Sequence, residues 1–86
     1  MIGMGKKLYV GNIGPKANRA ALEALFAYFG TVENAYIIVD RRTGKSKGFG
    51  FVEMSTEEEA KAAIDALDGK DCAGYTVKVS YAKEPE

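Results

Sequence analysis

Two short segments constrain this chain more than anything else in it. They are Leu8-Tyr9-Val10-Gly11-Asn12-Ile13 near the start and Lys47-Gly48-Phe49-Gly50-Phe51-Val52-Glu53-Met54 past the middle. In the second, aromatics alternate with small or aliphatic residues, and in the first Tyr9 stands between Leu8 and Val10; both fit the period of a strand and not of a helix. Alternate side chains of a strand share one face. Phe49 and Phe51 are therefore expected to point one way with Lys47 beside them, while Gly50, Val52 and Met54 turn into a core. Such a sheet buries its aliphatics and shows its phenylalanines to water.

The remaining elements follow from periodicity and punctuation. A strand is expected over 7–11, then a loop from Asn12 to Ala17 with Asn18 as a helix N-cap. Ala21, Leu22, Leu25, Phe26 and Phe29 recur at helical spacing before Gly30 ends the helix. Val32 to Asp40 alternates Ala35, Ile37 and Val39 against Tyr36 and Ile38, a second strand. A turn-rich loop, Arg41–Lys47, leads to the third strand, Phe49 to Met54. Ser55 and Thr56 stand three residues before Glu58 and Glu59, the capping-box spacing, and open a helix that stops at Asp68-Gly69. A small hairpin at Asp71–Tyr75 and a last strand over Val77–Tyr81 complete the order βαβ-βαβ. Right-handed crossovers would put both helices on one face of a four-stranded antiparallel sheet, with the first and third strands central and the other face bare. Leu22, Leu25, Phe26, Phe29, Ala60, Ala63, Ile64 and Leu67 are the expected helical core, with Tyr28 and Tyr75 as partly buried edge aromatics and Cys72 a small hydrophobe under the hairpin.

With 86 residues and 47% hydrophobic content, one domain with its own core is expected, over residues 7–83, with 1–6 and 84–86 as flexible ends. A single cysteine cannot form an internal disulfide, which suggests a reducing compartment. No apolar run approaches the roughly 18 residues of a membrane span, and Met1–Gly5 is too short for a signal peptide. The expected location is the cytoplasm, or a plastid or the nucleus in a eukaryote, and the expected state is a monomer. Twelve basic and twelve acidic residues cancel, but not locally. Arg41, Arg42, Lys45 and Lys47 share residues 41–48 with no acid, whereas Glu57, Glu58, Glu59, Asp65 and Asp68 outweigh Lys61 in the second helix. That dipole suits a weak, salt-sensitive grip on a short strand better than wrapping a duplex.

Exposed aromatics interleaved with lysines point to stacking on nucleic-acid bases. The alternative is rings packed against a C-terminal helix or a protein partner, but the five residues after Tyr81 end Glu-Pro-Glu and are too few and too polar to cover a sheet. Enzymatic chemistry has little to stand on. Without histidine the commonest general base is missing, and one cysteine makes no zinc site of the usual kinds. The expectation is a non-enzymatic chain with no cofactor and no metal.

At these residues the chain resembles the RNA recognition motif family over nearly its whole length. Tyr9 and Asn12 match the stacking and polar positions of the shorter family signature, and Lys47–Val52 match the longer one. Met54 departs from the usual Phe or Tyr, at a core-facing position. The compact form and the run GFGFVEM are similar to the small single-motif RNA-binding proteins of bacteria, cyanobacteria and plastids. The resemblance implies an α+β, ferredoxin-like βαββαβ sandwich that binds about two to four nucleotides of single-stranded RNA. It also implies a role as RNA chaperone or post-transcriptional regulator.

On that resemblance Tyr9 and Phe51 stack bases and Phe49 packs on a ribose. Lys47 pairs with a phosphate, or is a solvated loop-end lysine. Arg41, Arg42 and Lys45 in the preceding loop, and Lys7 on the first strand, are further candidates for RNA contacts, balanced against plain solvation. Tyr36 either holds a third base or shields the sheet beside Ile38. Lys78, Ser80 and Ala82 are the outward positions of the last strand, and Ser80 with the backbone near Ala82 and Lys83 could read base edges. Asn12 could hydrogen-bond a base or cap its loop, and Glu53 could accept a base amino group or hold phosphate away. Two rival functions remain: a protein-interaction module using the acidic helix face, and single-stranded DNA binding, which stacking alone does not separate from RNA.

Overall fold

The computed structural model describes residues 6–14, 17–72 and 74–82, with Ser46 and Cys72 described by their backbone alone. The expectations for Lys83, for the Cys72 side chain and for most of the two chain ends fall outside this description. Eight elements follow in order: β1 (Lys7–Gly11), α1 (Arg19–Ala27), β2 (Val32–Val39), β3 (Ser46–Met54), α2 (Glu57–Leu67), β4 (Asp71–Cys72), β5 (Tyr75–Thr76) and β6 (Lys78–Tyr81). The main sheet runs β2-β3-β1-β6 with every pairing antiparallel, and β4 with β5 forms the separate small hairpin. No helix among the described residues is long and apolar enough to cross a membrane.

One face of the sheet makes the core. Leu8 and Val10 of β1, Ala35 of β2, Val52 and Met54 of β3 and Val79 of β6 are buried against Leu22 and Phe26 of α1 and Ala60 and Ala63 of α2. Met54 is fully buried, so it fills the core position assigned to it. Leu25, Phe29, Ile64 and Leu67 are half-buried around that core. Ala35, Ala60 and Ala63 let the helices approach the sheet closely, in the way small residues do at tight packing points.

Three expectations are corrected. Tyr28 is not a partly buried edge aromatic but 87% exposed, because it lies about 200° round the helix from buried Phe26. Val39 does not continue the buried alternation and is 48% exposed, because the β2–β3 register shifts between Ile37 and Val39. β3 also begins earlier than Phe49, at Ser46, with Gly48 in the left-handed region at φ +91°.

Local chemistry sets the helix ends. Asn18 caps α1, its Oδ1 accepting from the Ala21 N–H at 2.8 Å. Thr56 caps α2, its Oγ1 accepting from the Glu59 N–H at 3.1 Å. The Glu59 carboxylate in turn accepts from the Ser55 hydroxyl at 2.6 Å and from the Thr31 N–H at 3.2 Å, so it ties the start of α2 to the entry of β2. The Ser55 hydroxyl, helped by backbone N–H groups, holds this carboxyl below its ordinary value of 4.5. Gly30 is needed beside it, since a Cβ there would run into the carboxylate. Beyond α2, Asp68 Oδ1 accepts from the Val79 N–H at 3.0 Å, and Gly69 and Lys70 bond the backbone of Val77 at 2.8 Å. These bonds cover the outer edge at Val77 and Val79, which would otherwise offer itself for strand pairing.

Two consequences are measurable. Because the Glu59 carboxyl has its value lowered by folding, its stabilising effect is complete above 4.5 and fades as pH falls through the folded value. Glu59→Gln is therefore expected to lower the urea midpoint at pH 7 and to match the wild type in strong acid; equal midpoints at pH 7 would remove the carboxylate from this role. At the sheet centre, a Cβ on Gly50 would meet the Tyr36 carbonyl oxygen. Gly50→Ala is expected to cost about 1–3 kcal/mol in chemical denaturation, the usual range for overpacking.

Candidate nucleic-acid interface

The registers of the strands lay out the face opposite the helices. Tyr9 of β1 stands across from Phe51 of β3 and from Ser80 of β6, and Phe51 stands across from Tyr36 of β2. One rung towards the loops are Phe49, Gly11 and Lys78. On the other side of the aromatic rung are Asn34, Glu53 and Lys7. The sequence-derived candidates on four strands are thus brought onto one surface.

Four rings form its centre. Ring centroids are 5.5 Å apart for Tyr36–Phe51, 5.9 Å for Tyr9–Phe51, 5.7 Å for Tyr9–Phe49 and 6.3 Å for Phe49–Phe51. These are separations at which aromatic pairs attract, in tilted and edge-on arrangements. Mutual contact leaves Tyr9, Phe49 and Phe51 half-buried and Tyr36 36% exposed, so each ring keeps area for a further planar group. Lys7 reaches across β3 and sets its Nζ 5.3 Å from the Phe51 centroid and 5.6 Å from that of Tyr36. A cation so placed is drawn to the ring faces.

Gly11, which sequence reasoning passed over, shapes the platform. A Cβ there would strike the outer edge of the Tyr9 ring, so the ring lies over the glycine, two residues along on the same face. A glycine at that spacing from an exposed aromatic was the available signal. Asn12 follows in the left-handed region at φ +57°, a conformation asparagine tolerates. Its Nδ2 donates to the Thr76 carbonyl at 2.7 Å, latching the end of β1 to the small hairpin. Tyr75 of that hairpin lies against Gly14, which has φ +87°.

The basic loop is ordered by its own backbone. The Asp40 N–H donates to the Lys45 carbonyl at 2.8 Å, and the Gly44 N–H to the Asp40 carbonyl at 2.7 Å. Asp40 Oδ1 accepts from the Arg42 N–H at 2.8 Å, and the Thr43 hydroxyl oxygen from the Lys45 N–H at 3.3 Å. Arg41, Arg42 and Lys45 consequently project as exposed cations from a closed turn. Asp40, an acid just outside the stretch counted as purely basic, stands 3.9 Å from the Arg42 guanidinium, a separation at which an exposed pair is worth little. Lys47 is exposed too, but left-handed Gly48 separates it from Phe49 and breaks the simple alternation expected to align the two. Ser80 and Lys78 are exposed on β6.

Known proteins are similar to this chain in sequence and in fold. The family model described as RNA recognition motif matches residues 8–78. The chain is 47% identical over 79 residues to RbpA of Nostoc sp., covering 92% of this chain and 78% of that protein. It is 46% identical over 78 residues to the chloroplastic RNA-binding protein CP31B of Arabidopsis thaliana, covering 91% of this chain and 27% of that protein. A solved complex of the Sex-lethal protein with RNA superposes with a TM-score of 0.89 at 30% identity, covering 95% of this chain and 49% of that one.

If Gly11 is the bed for the Tyr9 ring, Gly11→Ala should lift that ring away from Phe49. The expected result is weakened nuclear Overhauser contacts between the two rings with the sheet contacts retained. Unchanged ring contacts would show that Tyr9 is placed by other means.

Proposed function

The chain belongs to the RNA recognition motif family, and from that premise we propose that it binds short single-stranded RNA across the open face of its sheet, as an RNA chaperone or post-transcriptional regulator. Tyr9 and Phe51 each take a base, Phe49 lies against the ribose between them, and Tyr36 extends the platform to a third base. Lys47 and the cations of the ordered loop, Arg41, Arg42 and Lys45, meet phosphates. Ser80, Lys78 and Lys7 border the rings on the neighbouring strands and meet base edges or backbone, with Lys83 the further candidate beyond β6. Asn12 acts through its latch to Thr76, holding the end of β1 and with it the rim of the platform. The reading is of a binding module and gives no residue a catalytic role.

The observation that carries it is the contiguous layer of four rings on the face the helices leave uncovered. Stacking is worth about 1–3 kcal/mol per base, so two or three platforms supply a large share of a micromolar affinity. Phosphate contacts add a smaller, salt-dependent part, since few cations lie at the rim.

Fluorescence anisotropy with a randomised pool of short single-stranded RNA tests this directly. A Phe49→Ala/Phe51→Ala variant that remains folded by circular dichroism is expected to bind at least tenfold more weakly than the wild type, a loss of about 1.4 kcal/mol or more. Equal binding by both proteins would move the RNA off the sheet. A matched DNA pool in the same assay reports whether contacts to the 2′-hydroxyl add selectivity.

A further inference from the structure

The base-stacking reading leaves open which base lies on Phe51, and one rung of the sheet bears on that choice. Lys7 and Glu53 stand directly opposite each other on β1 and β3. Each lies two residues from a platform aromatic, Tyr9 and Phe51 respectively, so both project from the open face. Two residues of strand span about 6.6 Å, which puts their polar ends within reach of the edge of a base stacked on Phe51. The Lys7 ammonium already lies 5.3 Å from the Phe51 centroid. Glu53 is half-buried beside it, and its other neighbour, Asn34, has its side-chain oxygen occupied by the Ala35 N–H at 3.0 Å. The rung therefore presents a positive donor and a negative acceptor side by side.

The four bases meet such a pair differently. Guanine has two adjacent donors, N1–H and the N2 amino group, followed by the O6 acceptor. A carboxylate can accept both donors while an ammonium donates to O6. Adenine puts the lone pair of N1 against the carboxylate, uracil flanks its single N3–H with two carbonyls, and cytosine sets N3 beside its amino group. Each of these three opposes a lone pair to a negative charge. We infer that Lys7 and Glu53 form a guanine-selecting pair at the edge of the Phe51 platform. Glu53 carries the discrimination, because bonds to an ionised acceptor are stronger than neutral ones. Lys7 moves from the ring faces to the O6 edge as the base arrives. This rests on the stacking reading and adds base identity to it.

The test uses five-nucleotide uridine oligonucleotides whose central position is guanine, adenine, uridine, cytidine or inosine, with affinities from fluorescence anisotropy. Inosine lacks only the N2 amino group of guanine. The wild type is expected to prefer guanine to each of the others by about tenfold. Glu53→Gln should bring guanine and inosine to equal affinity, whereas Phe51→Ala should weaken all five. Equal wild-type affinity for guanine and adenine, or a preference for another base, overturns the inference and leaves the stacking reading intact, provided Phe51→Ala still weakens binding. A uniform gain for every oligonucleotide in Glu53→Gln would also overturn it, showing a carboxylate that only repels phosphate. If none of the five binds the wild type, the stacking reading fails and this inference fails with it.

Discussion

Everything in this molecule depends on one register, that of β1 against β3, in which Tyr9 faces Phe51 and Leu8 faces Val52. Because side chains alternate, this single choice decides both faces of the sheet at once. Leu8, Val10, Val52 and Met54 go to the helices, and Tyr9, Phe49 and Phe51 go to the outside. A slip by one residue would exchange the two sets and leave rings where α1 and α2 need aliphatics. The core therefore enforces the aromatic face. Burial of Leu8, Val10, Val52 and Met54, at roughly 1.5–3 kcal/mol for each large side chain, holds the half-buried aromatics in place on the other face.

An exposed aromatic layer is an aggregation hazard, and several local features limit it. The rings cover part of one another, Lys7 lies over two of them, and Ser80 and Lys78 put polar groups along the neighbouring strand. The outer edge at Val77 and Val79 is bonded by Gly69, Lys70 and Asp68, and β2 carries two register irregularities that disturb a flat edge. Two glycines do opposite work on the two faces. Gly50 lets β2 and β3 approach on the core side, and Gly11 leaves room for the Tyr9 ring on the open side.

The parts legible in the sequence were those governed by period. Alternation in residues 7–11 and 49–54 gave two central strands and the face of each side chain, and the 22-25-26-29 spacing gave the buried stripe of α1. What escaped was set by contacts between distant segments. Glu59 looked like half of a capping box, yet it also bonds Thr31 and requires Gly30. Asn12 was open to bonding a base or capping its loop, and the sequence held no sign that its amide donates to Thr76, 64 residues away. Val39 and Lys47 were placed by extending a regular alternation through a stretch where the register shifts and Gly48 turns left-handed. Tyr28 followed the general tendency of tyrosine to be half-buried, although its angle on α1 already pointed it outward.

Zero net charge is compatible with a polyanionic ligand because the acids of α2 lie across the sheet from the rings, although Glu53 is an acid among the rings themselves. Four acids lie in α2, where Glu57 and Glu58 are exposed and Lys61 pairs with Asp65 at 2.9 Å, and Asp68 at its end is spent on Val79. That helix packs against one face of the sheet, while the rings lie on the other. A packed layer is about 10 Å thick, comparable to the screening length of about 8 Å at physiological salt. A strand lying on the rings therefore feels Lys7, Lys78 and Glu53 strongly and the glutamates of α2 weakly. Approaching from the helix side it meets the reverse. The charge balance thus favours approach of a nucleic acid from the ring side more than it adds net attraction.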